Sequence, residues 1–563
     1  MSIIAGFFLL EPDKTDPEFV DGIEDLIRTH ISRRATDTRY EYTDGYLYLC
    51  RVDLGCYHEA SWAEDHTRLT TILGHTFISA SLTQDTNHLF SHGVSARSLE
   101  KADGTYTALQ YDKIERELTV CFDSLSLRPL YYLQINQMVI FSSCQRIYPK
   151  LGLNLTVDMN AISEIATIGF PLAGKTRYQD VRSVQAGEQL TINLSGIYIK
   201  TGFNWGNYQP QLLNEQSALS LFEQTFSSVL NKYRKSDNNM VSTLSGGLDS
   251  RVLVEALHQR GTVIECINFS RANSQDDIYA SQYAHTRHIR LRQIEVEDTQ
   301  AVSVEYRLGQ YWRRLNFSFY QQVERPRLFW SGNGGSVCLG MVYFSDDIAK
   351  ACESGSVEAV ADAYIDLQQA YIPKRLVKGA AELQQQLRKT IIACLTKYAN
   401  VDLFKAYQLF LWENDQHQHL VTAYEDMDIY RLDFYLPFYA KSLLDVIHRI
   451  PPQLLLKHQF YMTWVRTYLP DALCSPWQVY PGHEPCDLAD NIIQAPISQW
   501  QLKRPWSAKM KLIKTGISAF FDTQNTFYHR HYLGANCILT ALGLYNGSAT
   551  LNVINRMNQA LSE

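Results

Sequence analysis

A double glycine between a short apolar run and an amphipathic run is the feature that most constrains this chain. Residues 241–244 read as a buried strand, and the apolar residues between 250 and 260 follow the spacing of one helical face. A helix is therefore predicted to begin near Asp249, directly after Gly246 and Gly247. The first turn of a helix offers unpaired N–H groups and a partial positive charge, and glycine lets an anion approach the backbone. The segment is thus predicted to bind nucleotide phosphates.

Residues 245–250, Ser-Gly-Gly-Leu-Asp-Ser, closely resemble the pyrophosphate loop of the ATP pyrophosphatase group. They lack the Gly-Lys-Ser/Thr ending of the lysine-bearing phosphate loop. The resemblance implies cleavage of ATP between its α and β phosphates. The alternative is that these serines and glycines only reverse the chain between a strand and a helix.

Size and composition narrow the class of protein. A chain of 563 residues with 45% hydrophobic residues is long enough for two or more domains. A net charge of -7 without a dense Lys/Arg run argues against nucleic-acid binding. The eleven cysteines include no Cys-x-x-Cys pair, which suits reduced thiols. The sequence also lacks a run of about twenty apolar residues, the length that a membrane-spanning helix needs. We expect a soluble, cytoplasmic protein.

The pattern changes character along the chain. Short alternating runs separated by polar turns predict a β-rich region from residue 3 to about 194, and residues 202–214 form the predicted linker. From about residue 216, helical runs alternate with short strands, which is typical of a parallel sheet covered by helices. Beyond about residue 350 the chain reads as almost wholly helical, and the region after about 487 carries little pattern.

Several ordered segments resemble the asparagine synthetase B family. They are the opening strand at 1–8, residues 123–131 (Asp-Ser-Leu-Ser-Leu-Arg-Pro-Leu-Tyr), residues 184–190, the glycine-rich loop 331–340, and residues 435–451. The resemblance implies an α/β protein. An N-terminal α+β sandwich of the Ntn-hydrolase type would span 1–205, and a parallel-sheet ATP-pyrophosphatase domain with a helical C-terminal half would span 216–485. A C-terminal extension would span 486–563.

The N-terminal region departs from the family at its reaction centre. The family's glutaminase uses an N-terminal cysteine as nucleophile, whereas this chain has Ser2, whose hydroxyl does not ionise as readily as a thiol. The family's Asn-Gly oxyanion element corresponds to residues 77–82, which contain neither Asn nor Gly. Glutamine hydrolysis is therefore not expected, and the domain is predicted to be a scaffold or docking surface.

The second glycine-rich loop departs as well. Ammonia-using members carry a Glu and an Asp where this chain has Asn333 and Ser336. Relatives that form lactams or lasso-peptide macrolactams also lack that Glu, so the resemblance implies a nucleophile other than ammonia. Without the second carboxylate, Asp249 would be the only magnesium ligand from the two loops. Four other acidic residues are alternatives or ordinary solvated and capping groups: Asp276, Asp277, Asp346 and Asp347.

The resemblance also implies a late lysine and a general base, and for each of these roles the sequence offers candidates and no matching residue. The family's late lysine would fall at residues 475–482, which contain none, so His483 or Lys457 would have to supply positive charge unless each is merely structural. Glu425 lies just before residues 435–438, where related cyclases hold a carboxylate that deprotonates the amine. It is the candidate general base, and the alternative is a salt-bridged helix face.

The resemblance implies AMP-forming amide synthesis with ATP and Mg²⁺ as cofactors, in which Asp249 and Glu425 are the catalytic residues and Asp249 is the metal ligand. The alternatives are a glutamine- or ammonia-dependent asparagine synthetase and a degenerate nucleotide-binding or interaction protein. We expect small-molecule or peptide carboxylate and amine substrates, with a partner protein or homodimer left open. The predicted nucleotide-binding residues are Leu244, Ser245, Gly246, Gly247, Leu248, Asp249, Ser250, Phe269, Ser270, Gly332, Asn333, Gly334 and Gly335.

Overall fold

A computed structural model describes residues 2–34, 37–237, 240–296, 305, 307–309, 327–488, 496–498, 506–522 and 527–562. The chain forms two compact units, each assembled from separate segments. The first contains Met1–Leu153, Val184–Val342 and Gln416–Trp500, and the second contains Asn154–Ser183, Tyr343–Asp415 and Gln501–Glu563. The predicted domain boundaries at 1–205, 216–485 and 486–563 stay a prediction.

The N-terminal part of the first unit contains two antiparallel sheets. One holds its strands in the order β8-β9-β1-β3-β2 and the other in the order β12-β11-β7-β6-β5-β4. The strands are β1 (Ser2–Leu9), β2 (Thr38–Thr43), β3 (Leu47–Asp53), β4 (Trp62–Glu64), β5 (Arg68–Gly74), β6 (Tyr106–Asp112), β7 (Glu117–Phe122), β8 (Tyr131–Ile135), β9 (Met138–Ser142), β11 (Glu188–Asn193) and β12 (Gly196–Thr201).

A single apolar core joins these two sheets. Inward-facing side chains of both, among them Ile4, Leu49, Leu109 and Leu190, form one buried cluster. Alternation along the strands places apolar residues on this face, so burial of this apolar surface stabilises the sandwich. Two helices accompany it, α1 (Pro17–His30) and α2 (Leu82–His92), and both begin at a residue whose side chain accepts a backbone N–H, Asp16 and Ser81.

A five-stranded parallel sheet occupies the rest of the first unit. Its order is β15-β14-β13-β16-β17, with β13 (Val241–Thr243), β14 (Glu265–Ser270), β15 (Arg290–Glu295), β16 (Arg327–Trp330) and β17 (Leu432–Tyr435). The chain runs outward from β13 to β14 and β15, then returns to β16 on the other side. The carboxyl ends of β13, β14 and β16 therefore meet where the strand order reverses, which is the usual ligand position in an open parallel sheet.

Among the described residues, nine α-helices of the first unit come after the sandwich in the chain. Each lies before, between or after the five parallel strands in sequence. They are α4 (Glu215–Tyr233), α5 (Leu248–His258), α6 (Gln275–Thr286), α7 (Gly335–Leu339), α12 (Val421–Glu425), α13 (Met427–Tyr430), α14 (Lys441–His448), α15 (Pro452–Leu455) and α16 (Gln459–Tyr468).

The second unit is helical. It contains the short strand β10 (Arg182–Ser183) and the helices α3 (Met159–Ile168), α8 (Asp346–Glu353), α9 (Val357–Gln368), α10 (Ala380–Thr396), α11 (Leu403–Phe410), α17 (Trp506–Phe521), α18 (Arg530–Ala541) and α19 (Ser548–Ser562). Ile162 of α3 shares a buried cluster with Leu533 of α18 and Ile554 of α19. The region after residue 487, which carried little sequence pattern, therefore supplies three helices to a core.

The predicted fold class is confirmed: an antiparallel N-terminal sandwich precedes a parallel sheet and a largely helical C-terminal half. The predicted helix start near Asp249 is also correct, because α5 begins at Leu248. No helix in the described ranges has the length and apolar character needed to cross a membrane.

Candidate functional site

The first glycine loop connects β13 to α5 and has its backbone donors satisfied locally. The N–H of Ser245 donates to the Ser250 hydroxyl at 2.9 Å, and the N–H of Gly247 donates to the Ser245 hydroxyl at 3.2 Å. The two hydroxyls are 3.1 Å apart. Both serines are small, neutral acceptors that a phosphate oxygen can replace, so the loop keeps the donors that an anion site needs.

Close backbone packing explains why Gly246 has no side chain. A Cβ added there would lie 2.6 Å from the carbonyl oxygen of Gln275 and 2.9 Å from the Cα of Asp276. At Gly247 the nearest atom would be the Ser245 hydroxyl at 3.4 Å. The first glycine is therefore required by packing against the start of α6, whereas the second leaves room beside the loop.

The second glycine loop, residues 331–335, lies directly on the first turn of α5. A Cβ on Gly332 would lie 2.5 Å from the backbone carbonyl oxygen of Asp249, and a Cβ on Gly335 would lie 2.7 Å from the Asp249 side chain. Gly334 has a φ of +94° and packs on the ring of Tyr439. The structure thus brings together the two loops that the sequence predicted as one site.

Asp249 and Ser336 form a direct pair between these loops. The backbone N–H of Ser336 donates to one carboxylate oxygen of Asp249 at 2.7 Å, and its hydroxyl donates to the other at 2.6 Å. Burial raises the pKa of Asp249, and the bonds from Ser336 oppose that shift only in part. Ser336 therefore holds Asp249 in place by hydrogen bonds at the position where the resemblance predicted the loss of a carboxylate.

Two of the predicted nucleotide-binding residues, Phe269 and Ser270, lie at the end of β14, next to the first loop. Asn268 donates to the carbonyl oxygen of Leu244 at 2.8 Å, and Ser270 donates to Asn268. Phe269 and Ser270 are both buried. This polar chain fixes the spacing between the ends of β13 and β14.

Asp276, at the start of α6, occupies a donor of the first loop. Its carboxylate accepts the N–H of Gly246 at 2.9 Å. The pKa of Asp276 is raised, because the effect of burial exceeds the opposing effect of the hydrogen bond from Gly246. Asp277 instead accepts the N–H of Asn273 and the side chain of Gln293, so it supports the start of the helix. Of the two, only Asp276 places negative charge at the predicted phosphate site.

The segment predicted to replace the family's lysine region is attached to the first loop. The N–H of Gln478 donates to the carbonyl oxygen of Gly246 at 2.8 Å. His483 lies 2.8 Å from His458, Nδ1 to Nδ1, and burial lowers the pKa of both imidazoles, that of His458 to about 3. Burial, together with the charges of Asp249 and Asp276, raises the pKa of Tyr480.

Next to this segment, His458 and His483 are therefore neutral imidazoles, and the ring of Tyr480 stacks on His458 at 5.8 Å between centroids. Lys457, the other candidate, has a left-handed backbone with φ of +54°, and its carbonyl oxygen accepts the N–H of Glu484. His458 also has a positive φ, +67°. Two consecutive non-glycine residues in this region of backbone space are costly, which is a common property of functional sites.

Glu425 lies elsewhere. Its carboxylate accepts the backbone N–H groups of Gln145 and Arg146, at the start of a short 3₁₀ helix next to the N-terminal sandwich. Its backbone carbonyl accepts from Arg33 and Arg146. The structure gives this carboxylate a capping function within the first unit, and its role as a general base stays a prediction that the geometry does not support.

Asp346 and Asp347 lie in the first turn of α8 in the second unit, where Ser345 caps the helix. Acidic residues at this position interact favourably with the helix dipole. The capping alternative is therefore the one that their surroundings favour.

Ser2, which aligns with the nucleophile of the family that the chain resembles, is hydrogen-bonded by a buried arginine. Arg51 donates to the Ser2 hydroxyl at 2.7 Å and to Asp53 at 3.0 Å, and it also contacts the Ser61 hydroxyl. Its side chain is 1% exposed, and burial lowers its pKa. A hydroxyl that accepts from a guanidinium is held by a donor, whereas a nucleophile needs a base.

The segment that replaces the oxyanion element has its backbone donors committed. Phe77 donates its N–H to the Nδ1 of His75 at 3.0 Å, and Ile78 and Ser79 donate theirs to the Asp85 carboxylate at 2.9 and 2.7 Å. Phe77 has a φ of +50°. Its ring stacks on His75 at 3.7 Å and on Tyr233 at 3.9 Å between centroids.

The donor set at the first loop is compatible with magnesium that arrives with a nucleotide. Mg²⁺ commonly uses one or two carboxylates together with phosphate oxygens and water. Asp249 and Asp276 both lie at this loop, and the raised pKa of each is what a nearby cation would reverse. The described ranges contain no cluster of three or more His, Cys, Asp or Glu side chains that would make a closed protein site.

Comparison with known proteins supports the predicted resemblance at low identity. A glutamine amidotransferase domain model matches residues 63–203. The glutamine-hydrolysing asparagine synthetase 1 of Bacillus subtilis is 28% identical over 182 residues, which cover 32% of this chain and 28% of that protein. A protein of Methanocaldococcus jannaschii provisionally given the same name is 21% identical over 374 residues, which cover 66% of this chain and 60% of that protein. The chain thus spans less than two thirds of these relatives.

Two solved structures also align. One is a glutamine phosphoribosylpyrophosphate amidotransferase from B. subtilis complexed with ADP and GMP, with a TM-score of 0.24, 11% identity, and coverage of 59% of this chain and 81% of that chain. The other, described as the allosteric regulatory enzyme of purine biosynthesis, has a TM-score of 0.23, 12% identity, and coverage of 54% and 67%. The similarity to asparagine synthetases is one of sequence and rests on the two relatives named above. The implied cyclase-like subgroup stays a prediction.

Sequence reasoning missed three contributors to the site. The contact of Asp276 with Gly246, the contact of His458 with His483, and the buried Glu305 below the second loop all depend on distant pairings. Charge alone made Asp276 a candidate magnesium ligand and Lys457 a candidate source of positive charge. No sequence pattern around Glu305 distinguishes it from other acidic residues.

Proposed function

We propose that the chain is an ATP-dependent, AMP-forming amide synthetase that uses an external amine and does not hydrolyse glutamine. The observation that carries the proposal is the close packing of two glycine loops at the strand-order reversal, with Asp249 and Ser336 bonded between them. Such an edge of a parallel sheet, with a helix N-terminus and glycine-lined approaches, is suited to a nucleotide triphosphate.

The proposed chemistry has two steps. A carboxylate oxygen attacks the α-phosphorus of ATP, an O–P bond forms, and pyrophosphate leaves towards the first loop. The backbone donors of Ser245, Gly246 and Gly247, with the first-turn amides of α5, would bind the leaving group after their present acceptors move aside. An amine then forms the C–N bond as the C–O bond to AMP breaks.

Asp249 and Asp276, which both lie at the first loop, would hold the Mg²⁺ that accompanies ATP and neutralises its phosphates. Asp249 is already oriented by Ser336, so its position does not depend on a second carboxylate. The two histidines and Tyr480 would line the same loop as neutral hydrogen-bonding groups.

The geometry of the N-terminal sandwich supports the absence of glutaminase activity in this proposal. Ser2 accepts from Arg51, and the backbone donors at residues 77–79 are bonded to His75 and Asp85. The match of residues 63–203 to a glutamine amidotransferase model favours the second candidate, a glutamine-dependent asparagine synthetase. Release of glutamate from glutamine by the purified chain would favour that candidate.

The test is to incubate the full chain with α-labelled ATP, Mg²⁺ and a panel of carboxylates that includes L-aspartate, with ammonium, hydroxylamine or n-butylamine. Formation of AMP and pyrophosphate in a carboxylate-dependent manner, lost in Asp249→Asn, is expected. Asp277→Asn, which changes a neighbouring acidic residue of α6, is the matched control and should retain activity. Tight ATP binding without turnover under every condition would instead indicate a degenerate nucleotide-binding protein.

A further inference from the structure

A buried glutamate lies beneath the second glycine loop. Glu305 is 1% exposed, and one of its carboxylate oxygens accepts the hydroxyl of Ser331 at 2.6 Å and the side-chain amide of Asn333 at 3.4 Å. Ser331 follows β16 immediately, and its N–H donates to the carbonyl oxygen of Tyr435 on β17. The carboxylate is thus held by the loop that covers the first turn of α5.

The other oxygen of Glu305 is buried and, within the described ranges, receives no hydrogen bond. Burial of a carboxylate oxygen without a donor is expensive, and proteins normally supply a cation or a hydrogen bond in such a place. The position of the segment is fixed by packing as well, because Gly309 lies against the ring of Tyr430 and Leu308 is 1% exposed. The packing therefore holds this oxygen next to the loop, although its burial lowers the free energy of unfolding.

The loop itself contains no acidic side chain. Asn333 stands where ammonia-using members of the resembling family have a glutamate, and its amide oxygen accepts the hydroxyl of Tyr439 at 3.1 Å. The same hydroxyl also contacts the side-chain oxygen of Gln416. The described side-chain partners of Asn333 are thus the neutral Tyr439 and the acidic Glu305. Glu305 therefore supplies negative charge at this end of the loop, while Asp249 lies beside Gly335 at the other end.

We propose that Glu305 binds the amine substrate as an alkylammonium ion and accepts its proton. This inference rests on the proposed amide synthesis. The ammonium gives one proton to the free oxygen of Glu305, and the resulting amine attacks the acyl carbon. The C–N bond forms, the C–O bond to AMP breaks, and the second proton leaves with the products. A cation in this position satisfies the oxygen that receives no hydrogen bond from the described residues.

The first test separates the two half-reactions in the full-length chain. Exchange of labelled pyrophosphate into ATP, measured with the carboxylate panel and no amine, reports adenylation. Capture of the acyl group by n-butylamine reports amide formation. Glu305→Gln is expected to leave exchange within twofold of the parent and to lower capture at least tenfold at pH 7, with the deficit shrinking towards pH 10 as more of the amine is already deprotonated.

The second test does not depend on turnover. n-Butylammonium is expected to bind the parent at least fivefold more tightly than Glu305→Gln in a calorimetric titration, with n-butanol as the uncharged match. Thermal unfolding gives a matched control: Glu255→Gln removes a buried carboxylate that is paired with Tyr283 and Arg287 and should lower Tm. Glu305→Gln should leave Tm unchanged or higher, because it removes a buried charge whose second oxygen has no donor among the described residues.

Each failure has a distinct meaning. If the parent shows no pyrophosphate exchange with any carboxylate, the proposed function falls, and the titration alone decides whether Glu305 is an ammonium site. If Glu305→Gln lowers exchange and capture equally and lowers Tm like Glu255→Gln, the residue is structural and the inference is overturned. Equal binding of n-butylammonium by parent and variant overturns it as well.

Discussion

The aromatic pocket around Phe77 and the pair of glycine loops both lie in the first unit, yet they differ in what fills them. Large side chains occupy the space around Phe77, whose ring stacks between His75 and Tyr233, and the Ser2 hydroxyl is likewise held by a large side chain, Arg51. At the loops, the backbone donors are covered by small or movable groups, namely two serine hydroxyls and the Asp276 carboxylate.

The difference shows what decides whether such a region can still bind a ligand: the groups that now occupy it must be able to move aside. A stacked aromatic ring is part of the core, and its removal leaves a cavity. A hydroxyl or carboxylate on a backbone N–H leaves when a better acceptor arrives. The first region is therefore expected to behave as packing and the second as a binding site, and the following four measurements test that contrast.

The largest expected effect concerns Phe77. Its ring is 1% exposed and has aromatic neighbours on both faces, so Phe77→Ala should lower the free energy of unfolding by about 3–5 kcal/mol. Ile78→Ala, at the half-buried adjacent position, is the control and should cost about 1 kcal/mol. Denaturant unfolding of both variants provides the measurement. A loss below about 1 kcal/mol in Phe77→Ala would mean that the pocket is not packed as core.

The second expected effect is acid sensitivity caused by His75. Burial, with the nearby charges of Lys232 and Arg128, lowers the pKa of His75 from 6.5 to about 3. Because the folded-state pKa lies below the unfolded one, protonation favours unfolding, and this contribution to stability is lost as pH falls from 6.5 towards 3. Between pH 7.5 and 4.5 the loss should be about 2–3 kcal/mol.

His75→Asn removes the titration while keeping an acceptor for the N–H of Phe77. Its loss of stability between these pH values, followed by urea unfolding, should be smaller than that of the parent by this amount. His66→Asn, at an exposed histidine, should behave as the parent does. Parallel pH curves for the parent and His75→Asn would contradict the burial of a neutral imidazole in the pocket.

Local pattern and distant pairing explain which features the sequence could predict. The strand, double glycine and helix at residues 241–258 are encoded within eighteen or so neighbouring residues by apolar spacing, and they form as predicted. The bond from Gly246 to Asp276 joins residues 30 positions apart, and that from Ser331 to Glu305 joins residues 26 apart. No periodicity in one sequence specifies such pairs.

Glu425 is a residue whose predicted role was favoured by its sequence neighbours, although the backbone groups that it caps are distant in the chain. Its neighbours in sequence are acidic and aromatic, which suggested a raised pKa, whereas its function as a cap depends on the N–H of Gln145, 280 positions away. The three helices after residue 506 were readable in principle. Leu551 and Ile554 repeat at helical spacing, but weak flanking signals concealed the pattern.

The third expected effect distinguishes the two glycines of the first loop. In Gly246→Ala the new Cβ would clash with backbone atoms of Gln275 and Asp276, so stability should fall by about 1–3 kcal/mol and ATP binding should weaken at least tenfold. In Gly247→Ala the nearest atom is a serine hydroxyl at 3.4 Å, and stability should change by about 0.5 kcal/mol or less. Thermal unfolding and ATP titration measure both. Equal stability of the two variants would show that α6 does not pack on the loop as described.

The smallest expected effect is the most direct test of a movable acceptor at the loop. Asp276 places a carboxylate on the N–H of Gly246, so phosphate oxygens must compete with it for that donor. In Asp276→Asn the charge is gone, and inorganic pyrophosphate without Mg²⁺ should bind about three- to tenfold more tightly, which corresponds to roughly 1 kcal/mol. Asp277→Asn, whose carboxylate supports the helix start, should not change this affinity.

The effect of Asp276→Asn should reverse when Mg²⁺ is present, because the same carboxylate is then available as a metal ligand. Calorimetric titrations of pyrophosphate with and without Mg²⁺ therefore separate two roles of one side chain. Weaker binding in both conditions would mean that Asp276 supports the shape of the loop and never leaves it. In that case the first loop would resemble the pocket around Phe77, and the contrast between the two regions would disappear.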